Sequence, residues 1–279
     1  GIRAMELPEL ANLSAQMCHE LPSRVIANIE INQPKCLNVS PDEMATALVG
    51  SRILRAWTRG KWIVCDLSNE SHVLLNVGMG ADVLFYRTAG ERTKADRVTI
   101  ELHFTDGSGL TIRFWWFGHF HLAHPGKLAE HKPSASIGPS PLDDGFTPDT
   151  LAAICAGRRT PIKTVILDQK LIGGIGNVYA QDPLFYSRIH PLQPARSLSR
   201  AQIESLHASI RRVLTESLAA GGHSYERDLY GNHGGYTMDR VAVAYKEGQP
   251  CPVCGTMIEK IRTGSTTTHF CPQCQVLSG

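Results

Sequence analysis

Four cysteines near the carboxyl end carry the clearest chemical signal in the chain. Cys251, Cys254, Cys271 and Cys274 are spaced C-x2-C-x16-C-x2-C. Each C-x2-C pair can direct two thiolates at one tetrahedral ion, and the stretch between the pairs is long enough for a β-hairpin. Two disulfides are the alternative, which the lack of a recognisable secretion signal disfavours. We therefore expect one structural Zn²⁺, which stabilises a segment too short to build an apolar core.

A second candidate site is a glycine-rich turn within residues 161–191. The sequence runs from an apolar stretch through Gly-Gly-Ile-Gly at 173–176 to a helix that we expect to begin near Asn177. Backbone N–H groups at a helix start can hold a phosphate, and an asparagine side chain adds a further donor. Such a turn more often serves close packing alone, so by itself it favours no particular function.

The predicted secondary structure changes along the chain, from mainly strands to mainly helices. Short runs in residues 25–122 alternate apolar and polar positions between Gly, Asn, Asp and Ser, which predicts antiparallel strands in a sandwich or barrel-like sheet. Apolar residues at helical spacing in residues 5–20 predict a helix before this sheet. Residues 132–149 are rich in Pro, Ser, Gly and Asp and are typical of a linker.

The part that follows this linker is expected to be helical. Its clearest helix covers residues 199–220, where Ser199 and Gln202 form a candidate capping box and the apolar residues lie on one face. Gly221 and Gly222 end it. The glycine-rich stretch 229–240 is predicted to be an exposed, flexible loop that leads to the cysteine segment.

Composition and charge narrow the class of protein. With 279 residues, 42% of them hydrophobic and 19% charged, the chain is typical of an ordered globular protein of one large or several small domains. No apolar run approaches the roughly 20 residues of a membrane helix, so we expect a cytoplasmic protein without a membrane partner. The net charge is only +2, but residues 155–245 hold 11 basic and 7 acidic side chains. This asymmetry is consistent with a polyanionic partner and equally with an ordinary solvated face.

The segment 161–191, followed by the four cysteines, resembles the helix-two-turn-helix element and zinc ribbon of the Fpg/Nei family, the formamidopyrimidine-DNA glycosylases and endonuclease VIII enzymes. The stretches ELPEL at 6–10, RGKWIVCDL at 59–67, VGMGADVL at 77–84 and IGPSPL at 137–142 match other parts of that family in the same order. The resemblance implies an α+β fold with an N-terminal antiparallel β-sandwich and a helix. We place this sandwich in residues 1–131, the linker in 132–149, the helix-two-turn-helix domain in 150–245 and the zinc ribbon in 246–279.

The function implied by this resemblance is removal of a lesion base from damaged double-stranded DNA in base excision repair, after the nucleotide is flipped out of the stack. Enzymes of the family attack the sugar C1′ with the α-amine of an N-terminal proline, form a Schiff base and cut the strand by elimination, an AP-lyase reaction. An α-amine suits this task because its unperturbed pKa of about 7.7–8.0 leaves an unprotonated fraction at neutral pH. We expect a monomer associated with the nucleoid.

Met5 and Glu6 occupy the positions of the family's catalytic pair. Glu6 falls in register with the general acid and base, whereas Met5 stands where the family has proline. We interpret the four residues before Met5 as an expression remnant. In a chain that begins at Met5, the primary amine of methionine replaces the proline nitrogen. In the sequence as printed this nitrogen is an amide, so we expect no Schiff base from it.

Five positions are expected to contact DNA on the same basis. Lys61 matches a lysine that contacts backbone phosphate, and we count it with the catalytic residues as well. Met79 matches an intercalating methionine, and Phe117 a phenylalanine that fills the gap left by the flipped base. Asn177 opens the second helix of the helix-two-turn-helix element. Thr266 takes the place of a zinc-ribbon arginine that grips the phosphates around the lesion.

The departures at Met5, Thr266 and Trp116 leave two other functions open. One is a glycosylase without strand cleavage, in which Glu6 activates a water molecule. The other is a lesion-binding protein that has lost catalysis. Trp115 and Trp116 lie near the position of a family arginine, and strand alternation points them to opposite faces, so we expect at least one to be buried. In every case, binding to duplex DNA should weaken steeply with salt.

Three histidines form a further group of candidate ligands. His119 and His121 share a face of a predicted strand, and His124 follows closely. Imidazole is a common metal ligand, but no carboxylate lies near these residues in the sequence. We therefore expect ordinary side chains here rather than a second metal site.

Overall fold

A computed structural model describes residues 5–94 and 97–277. The chain divides into two compact units. The first comprises the residues up to Ser136 together with Ala220–Gly235, and the second comprises Ile137–Ala219 and the residues from Tyr236 onward. Within the described ranges, none of the helices combines the length and the apolar character that a membrane crossing requires.

The first unit contains two antiparallel four-stranded sheets with helices beside them. One sheet has the strand order β1-β6-β7-β5 and the other β2-β3-β4-β8. The helices of this unit are α1 (Leu7–Glu20), α2 (Pro41–Leu48) and the short α3 (Lys132–Ala135). The strands are β1 (Ile26–Ile31), β2 (Ile53–Arg59), β3 (Trp62–Leu67), β4 (His72–Asn76), β5 (Ala81–Tyr86), β6 (Ile100–Phe104), β7 (Gly109–Phe114) and β8 (His119–Ala123).

The core of this unit follows from the sequence periodicity. The buried face of α1 carries Leu10, Leu13 and Met17, which recur every three or four residues and pack in one cluster with the inward residues of the strands. On β3, Ile63 and Cys65 alternate into the same cluster. The predicted helix at 5–20 and the predicted antiparallel strands are therefore confirmed.

The segment 220–235 packs with the first unit although it follows the longest helix. Leu229 is completely buried, its carbonyl accepts a hydrogen bond from the Phe85 N–H at 2.9 Å, and its own N–H donates to Gln16 Oε1 at 2.8 Å. Most residues of the predicted exposed loop over 229–240 are exposed or half-buried, whereas Leu229 and Tyr236 are buried. Its polar and glycine residues provide turns, and single apolar residues such as Leu229 anchor it.

The second unit is helical and ends in a two-stranded hairpin. Its elements are α4 (Pro148–Cys155), α5 (Ile162–Leu167), α6 (Asn177–Tyr186), α7 (Arg200–Ala219), β9 (Glu259–Thr263) and β10 (Thr266–Phe270). The start of α7 confirms the predicted capping box, because Gln202 N–H donates to Ser199 Oγ and Ser199 N–H donates to Gln202 Oε1. The hairpin β9–β10 lies between the two cysteine pairs, as predicted.

The glycine-rich turn before α6 is held by one side chain. Gln169 Oε1 accepts a hydrogen bond from Gly174 N–H at 2.8 Å, and Gln169 Nε2 donates to the carbonyls of Leu167 and Ile175. Gly174 has a φ of +99°, a conformation that favours glycine. The glycine-rich turn therefore fixes the direction of α6. This helix begins at Asn177, as predicted.

Candidate active site and nucleic-acid interface

The candidate catalytic pair lies at the start of helix α1. Met5 is 1% exposed and Glu6 is fully buried. Glu6 is the N-cap residue of α1 and forms a capping box with Glu9, whose Oε1 accepts a hydrogen bond from Glu6 N–H at 3.1 Å. Pro8, in the first turn, suits a helix start because its missing N–H would have no partner within the helix. The backbone at the candidate nucleophile is therefore held by the helix end itself.

The segment 220–235 supports this helix end from the side. Glu9 Oε2 accepts a hydrogen bond from His223 N–H at 3.1 Å. Gly222, next to it, has a φ of +87°, and a Cβ added there would lie 2.9 Å from Glu9 Cγ. Only glycine allows this close approach without strain. Glu9 thus links Glu6 to a loop more than 200 residues away in sequence, which sequence reasoning alone did not reveal.

Two neighbouring turns of the first unit expose large apolar side chains. Met79 lies between β4 and β5 and is 50% exposed, and Phe117 lies between β7 and β8 and is 61% exposed. A Cβ added to Gly78 would lie 1.9 Å from the Phe117 carbonyl oxygen, so the two turns are in direct contact. The structure therefore brings these two predicted DNA-binding residues together on one surface.

Trp115 and Trp116 differ from their predicted placement. Strand β7 ends at Phe114, so the alternation of a strand does not extend to either tryptophan. Trp116 is 75% exposed beside Phe117, and Trp115 is half-buried with the Arg113 guanidinium 4.6 Å from its ring centre. The prediction that at least one would be buried is wrong, because both belong to the turn that presents Phe117.

Lys61 lies in the two-residue turn between β2 and β3. Gly60, the other turn residue, has a φ of +59°. Lys61 is half-buried, while Trp62 after it is buried. The tip of a tight hairpin gives a lysine ammonium a fixed stem and an accessible end.

Asn177 and Thr266 are brought together in the second unit by a lysine that the sequence analysis did not single out. Lys163, on α5, is fully buried. Its Nζ donates to Asn177 Oδ1 at 2.6 Å and to Thr266 Oγ1 at 3.1 Å. The Asn177 amide in turn donates to the Tyr245 hydroxyl at 3.1 Å and to the Thr267 carbonyl at 3.0 Å.

The hairpin supplies further oxygens to the same ammonium. Lys163 Nζ also contacts the Thr267 carbonyl at 3.2 Å and the hydroxyls of Thr268 at 2.5 Å and Thr263 at 3.4 Å. A buried charge needs such partners, because removing it from water is costly. Lys163 therefore sets the position of Thr266 and of the start of α6. The run of threonines in "TGSTTTHF" was the available sequence signal, since their hydroxyls need a buried donor.

The four cysteines meet at the base of this hairpin. Their sulfur atoms all lie within 4.8 Å of one another, with Cys251 Sγ to Cys274 Sγ at 3.8 Å and Cys254 Sγ to Cys271 Sγ at 3.5 Å. Zn–S bonds of about 2.3 Å in a tetrahedron place two sulfurs about 3.8 Å apart. The donor set and its spacing therefore fit a zinc ion.

Hydrogen bonds to the sulfurs support the same assignment. The N–H groups of Val253 and Cys274 each donate to a sulfur at 3.4 Å, to Cys251 and Cys271 respectively. Hydrogen bonds from Thr256 lower the pKa of the Cys254 thiol to about 6, whereas burial raises the pKa of Cys271 and of Cys274, so the zinc assignment rests on the geometry of the four sulfurs. The ribbon joins the helical part through an apolar cluster with Phe185 on α6.

Family models match three parts of the chain. The formamidopyrimidine-DNA glycosylase N-terminal domain matches residues 5–115, the formamidopyrimidine-DNA glycosylase H2TH domain matches 137–228, and a zinc finger found in FPG and IleRS matches 248–276. A formamidopyrimidine-DNA glycosylase of Chloroflexus aurantiacus is 37% identical over 275 residues, which cover 97% of each chain.

Solved structures agree with these matches over nearly the whole chain. The Lactococcus lactis Fpg in complex with DNA that contains an abasic site has a TM-score of 0.88 and 25% identity, over 97% of this chain and 99% of that one. MutM in complex with DNA that contains carbocyclic 8-oxo-G has a TM-score of 0.87 and 25% identity over the same shares. The likeness extends from the strands of the first unit to the zinc ribbon.

Proposed function

The chain belongs to the formamidopyrimidine-DNA glycosylase family and is a DNA glycosylase of base excision repair, and we propose that Met5 and Glu6 are its catalytic pair. The observation that carries this proposal is the position of Glu6, a carboxyl group fully buried at the N-cap of α1 directly after Met5. The matched family domain begins at Met5. AP-lyase activity is typical of the family.

The proposed reaction uses the backbone nitrogen of Met5 as nucleophile when it is a free amine. The nitrogen forms a bond to the sugar C1′ while the bond from C1′ to the lesion base breaks, and the base leaves with a proton. Loss of a proton from the nitrogen and opening of the sugar give the Schiff base, from which elimination cuts the strand. Glu6 is placed to donate and accept these protons, because it follows the nucleophile directly and is shielded from water.

Two groups of residues support the proposed binding of damaged duplex. In the first unit, Met79, Trp116 and Phe117 offer apolar side chains of the kind that wedge between base steps. In the second unit, the start of α6, which contacts Thr267 of the hairpin, offers backbone N–H groups of the kind that hold phosphates. Fpg and MutM structures bound to lesion-containing DNA support the same class of ligand.

A second candidate function is that of a glycosylase that removes the lesion base without cutting the strand. It is favoured by one observation: methionine stands at position 5, where the family has proline, while the glutamate at position 6 is retained. In this form Glu6 would activate water, and the product would be an abasic site that only alkali converts to a break.

We further propose one zinc ion per chain at the four cysteines, a monomer in solution and a location with the bacterial nucleoid. The zinc proposal rests on the single four-sulfur group at 251–274 among the described residues. The proposal of a monomer rests on the resemblance of the sequence to the family, and that of the location on the DNA substrate.

The experiment is an excision assay with protein that begins at Met5. Duplexes with a single 8-oxoguanine, a formamidopyrimidine or an abasic site are incubated with the protein, and each product is split into samples with and without hot alkali. We expect direct strand breaks on a lesion duplex and on the abasic duplex, and none on the undamaged duplex. Breaks that need alkali would support the second candidate function. Binding without breaks in either sample would refute a glycosylase.

A further inference from the structure

A small cleft on the sheet β1-β6-β7-β5 is lined by three basic side chains. It lies over the paired strands β5 and β7 and has a volume of about 180 Å³. Lys94, Arg113 and Arg227 line it, and Asp82 is the only carboxylate among the described residues of its wall. The cleft therefore has a net positive charge, which attracts anions.

Arg113 is positioned at this cleft by its strand and by an aromatic ring. It pairs with Asp82 across β7 and β5, and both side chains point away from the core, since their neighbours Val83 and Ile112 belong to the core cluster. The Arg113 guanidinium lies 4.6 Å from the ring centre of Trp115. Stacking on a ring orients the planar group and leaves its N–H edge available to a second partner.

Arg227 reaches the same cleft from the segment 220–235. The Leu229 carbonyl accepts a hydrogen bond from the edge of β5, which fixes this segment along the strand. Glu226, on one side of Arg227, is buried, whereas Arg227 is exposed. On its other side, the Asp228 carboxylate accepts two backbone N–H groups of its own turn at 2.9 Å. The acidic neighbours of Arg227 in sequence are therefore engaged elsewhere.

The three cations of the cleft differ from other arginines of the first unit in having no acidic partner. Arg92 forms an ion pair with Glu101 at 2.7 Å, and Arg87 with Glu20 at 2.9 Å. For the cleft cations, no carboxylate of the described residues lies within ion-pair distance. Three cations that share a cleft without such a partner favour an anion from outside the chain.

The cleft adjoins the two turns that expose large apolar side chains. Met79 is three residues before Asp82, and Phe117 is four residues after Arg113. At about 3.3 Å per residue, the cleft is at most about 10–13 Å from these turns. This distance corresponds to about three or four nucleotides along a DNA strand. A strand that passes the two turns can therefore bring one of its phosphates to the cleft.

We propose that Lys94, Arg113 and Arg227 bind one backbone phosphate of the DNA, within about four nucleotides of the step that the apolar turns contact. Guanidinium groups bind phosphate oxygens through paired N–H donors, and the lysine ammonium adds a further charge. Such a contact holds the duplex in place without reading its sequence. The inference rests on the proposed DNA-binding surface of the first unit, but it is independent of the chemistry at Met5 and Glu6.

Equilibrium binding at several salt concentrations tests this site. The probe is a duplex with a tetrahydrofuran analogue of an abasic site, and the variant is Arg113→Gln/Arg227→Gln. We expect about tenfold weaker binding at low salt, because charge-assisted hydrogen bonds to a phosphate are lost. The slope of log K against log salt concentration should become shallower by about one. An undamaged duplex should show the same change in slope.

Arg52→Gln is the matched control, because it removes an exposed arginine that lies outside the cleft, before β2. We expect its affinity and salt slope to equal those of wild type, and circular dichroism checks that both variants are folded. Unchanged affinity and slope in the double variant, or an equal change in the control, would overturn the proposal.

Neutral phosphate analogues locate the contact. A methylphosphonate replaces one phosphate at a time on each side of the abasic analogue, and wild type should lose affinity at a position within about four nucleotides. The same replacement should have little effect on the double variant, since its partner cations are already absent. Equal losses for both proteins at every position would show that the cleft does not contact the backbone.

Inorganic phosphate distinguishes a DNA phosphate from a free one. Binding of inorganic phosphate that the double variant loses, together with unchanged affinity of that variant for DNA, would assign the cleft to a free phosphate and refute the proposal. Excision by wild type separates this result from the proposed function. Wild type that shows the predicted phosphate contact but no excision would refute the catalytic proposal alone.

Discussion

Glu6 is the residue on which the proposed chemistry depends most. Its carboxyl group is fully buried at the N-cap of α1, and a glutamine fills the same space without being able to shuttle a proton. We expect Glu6→Gln to slow base excision by about 10²- to 10⁴-fold, the usual contribution of general acid–base catalysis. Single-turnover assays on the preferred lesion duplex measure this rate.

A matched control lies on the same helix. Glu20, at the far end of α1, is also buried and contacts Arg24, Arg87 and the Tyr230 hydroxyl. Glu20→Gln removes a buried carboxylate away from the candidate nucleophile, so it should cost stability and leave the excision rate nearly unchanged. Equal rates for the two variants would exclude the acid–base role of Glu6.

His121 should make the first unit less stable in acid. Its pKa is about 4 in the folded protein, because it is buried beside His119 and His131, and about 6.5 in an unfolded chain. Between these values the unfolded state binds more protons, so stability falls as the pH drops from 6.5 towards 4. Over this pH range, we expect the free energy of unfolding of His121→Gln to fall by about 1–2 kcal/mol less than that of wild type.

Tryptophan fluorescence during urea unfolding measures this difference in stability. It reports on the first unit, because all four tryptophans, at 57, 62, 115 and 116, belong to that unit. Acid release of zinc from the ribbon affects wild type and variant alike. Parallel stability curves for the two proteins would show that His121 does not titrate as its burial indicates.

At the scale of elements, the hairpin β9–β10 is positioned by Lys163. Replacement by methionine keeps an unbranched side chain, one atom shorter, and leaves the oxygens of Thr263, Thr266 and Thr268 without their shared donor. We expect Lys163→Met to destabilise the hairpin by about 1–3 kcal/mol, seen as faster hydrogen exchange in β10, and to weaken binding to an abasic duplex. Lys260→Met removes an exposed lysine of β9 that pairs with Glu247. Identical exchange in both variants would contradict the positioning role.

The zinc ribbon should depend on its metal. The hairpin contributes two five-residue strands, too little to fold on apolar burial alone. Removal of zinc with a strong chelator should unfold the ribbon and weaken DNA binding, while the tryptophan fluorescence of the first unit stays unchanged. Retained binding after zinc loss, verified by metal analysis, would show that the ribbon takes no part in DNA binding.

Periodic elements were predictable from sequence, and the contacts between them were not. The apolar spacing in α1 and α7, the short apolar runs of β3 and β4 and the paired cysteines each specify a structure within a short window. The tryptophans at 115 and 116 were misplaced because nothing local shows that β7 ends at Phe114. The hairpin partners of Lys163 lie about 100 residues away, and the support that His223 gives to Glu9 spans more than 200 residues. Such contacts are set by the fold.

At the scale of the whole molecule, membership of the family determines the class of reaction. The positions at which this chain differs from the family's pattern determine how it carries out that reaction and holds DNA. The net charge of +2 and the absence of an arginine at position 266 give this chain a weaker electrostatic hold on phosphates than a strongly basic protein would have. In the proposed reaction, the amine at Met5 takes the role that proline has in the family.

Borohydride trapping on an abasic duplex tests this account most directly, with a chain that begins at Met5 compared with one that retains residues 1–4. We predict a covalent complex with the first chain alone, and peptide mass spectrometry should locate the cross-link at the α-amine of Met5. Equal trapping by both chains, or a cross-link on a lysine side chain, would contradict the assignment of Met5 as nucleophile.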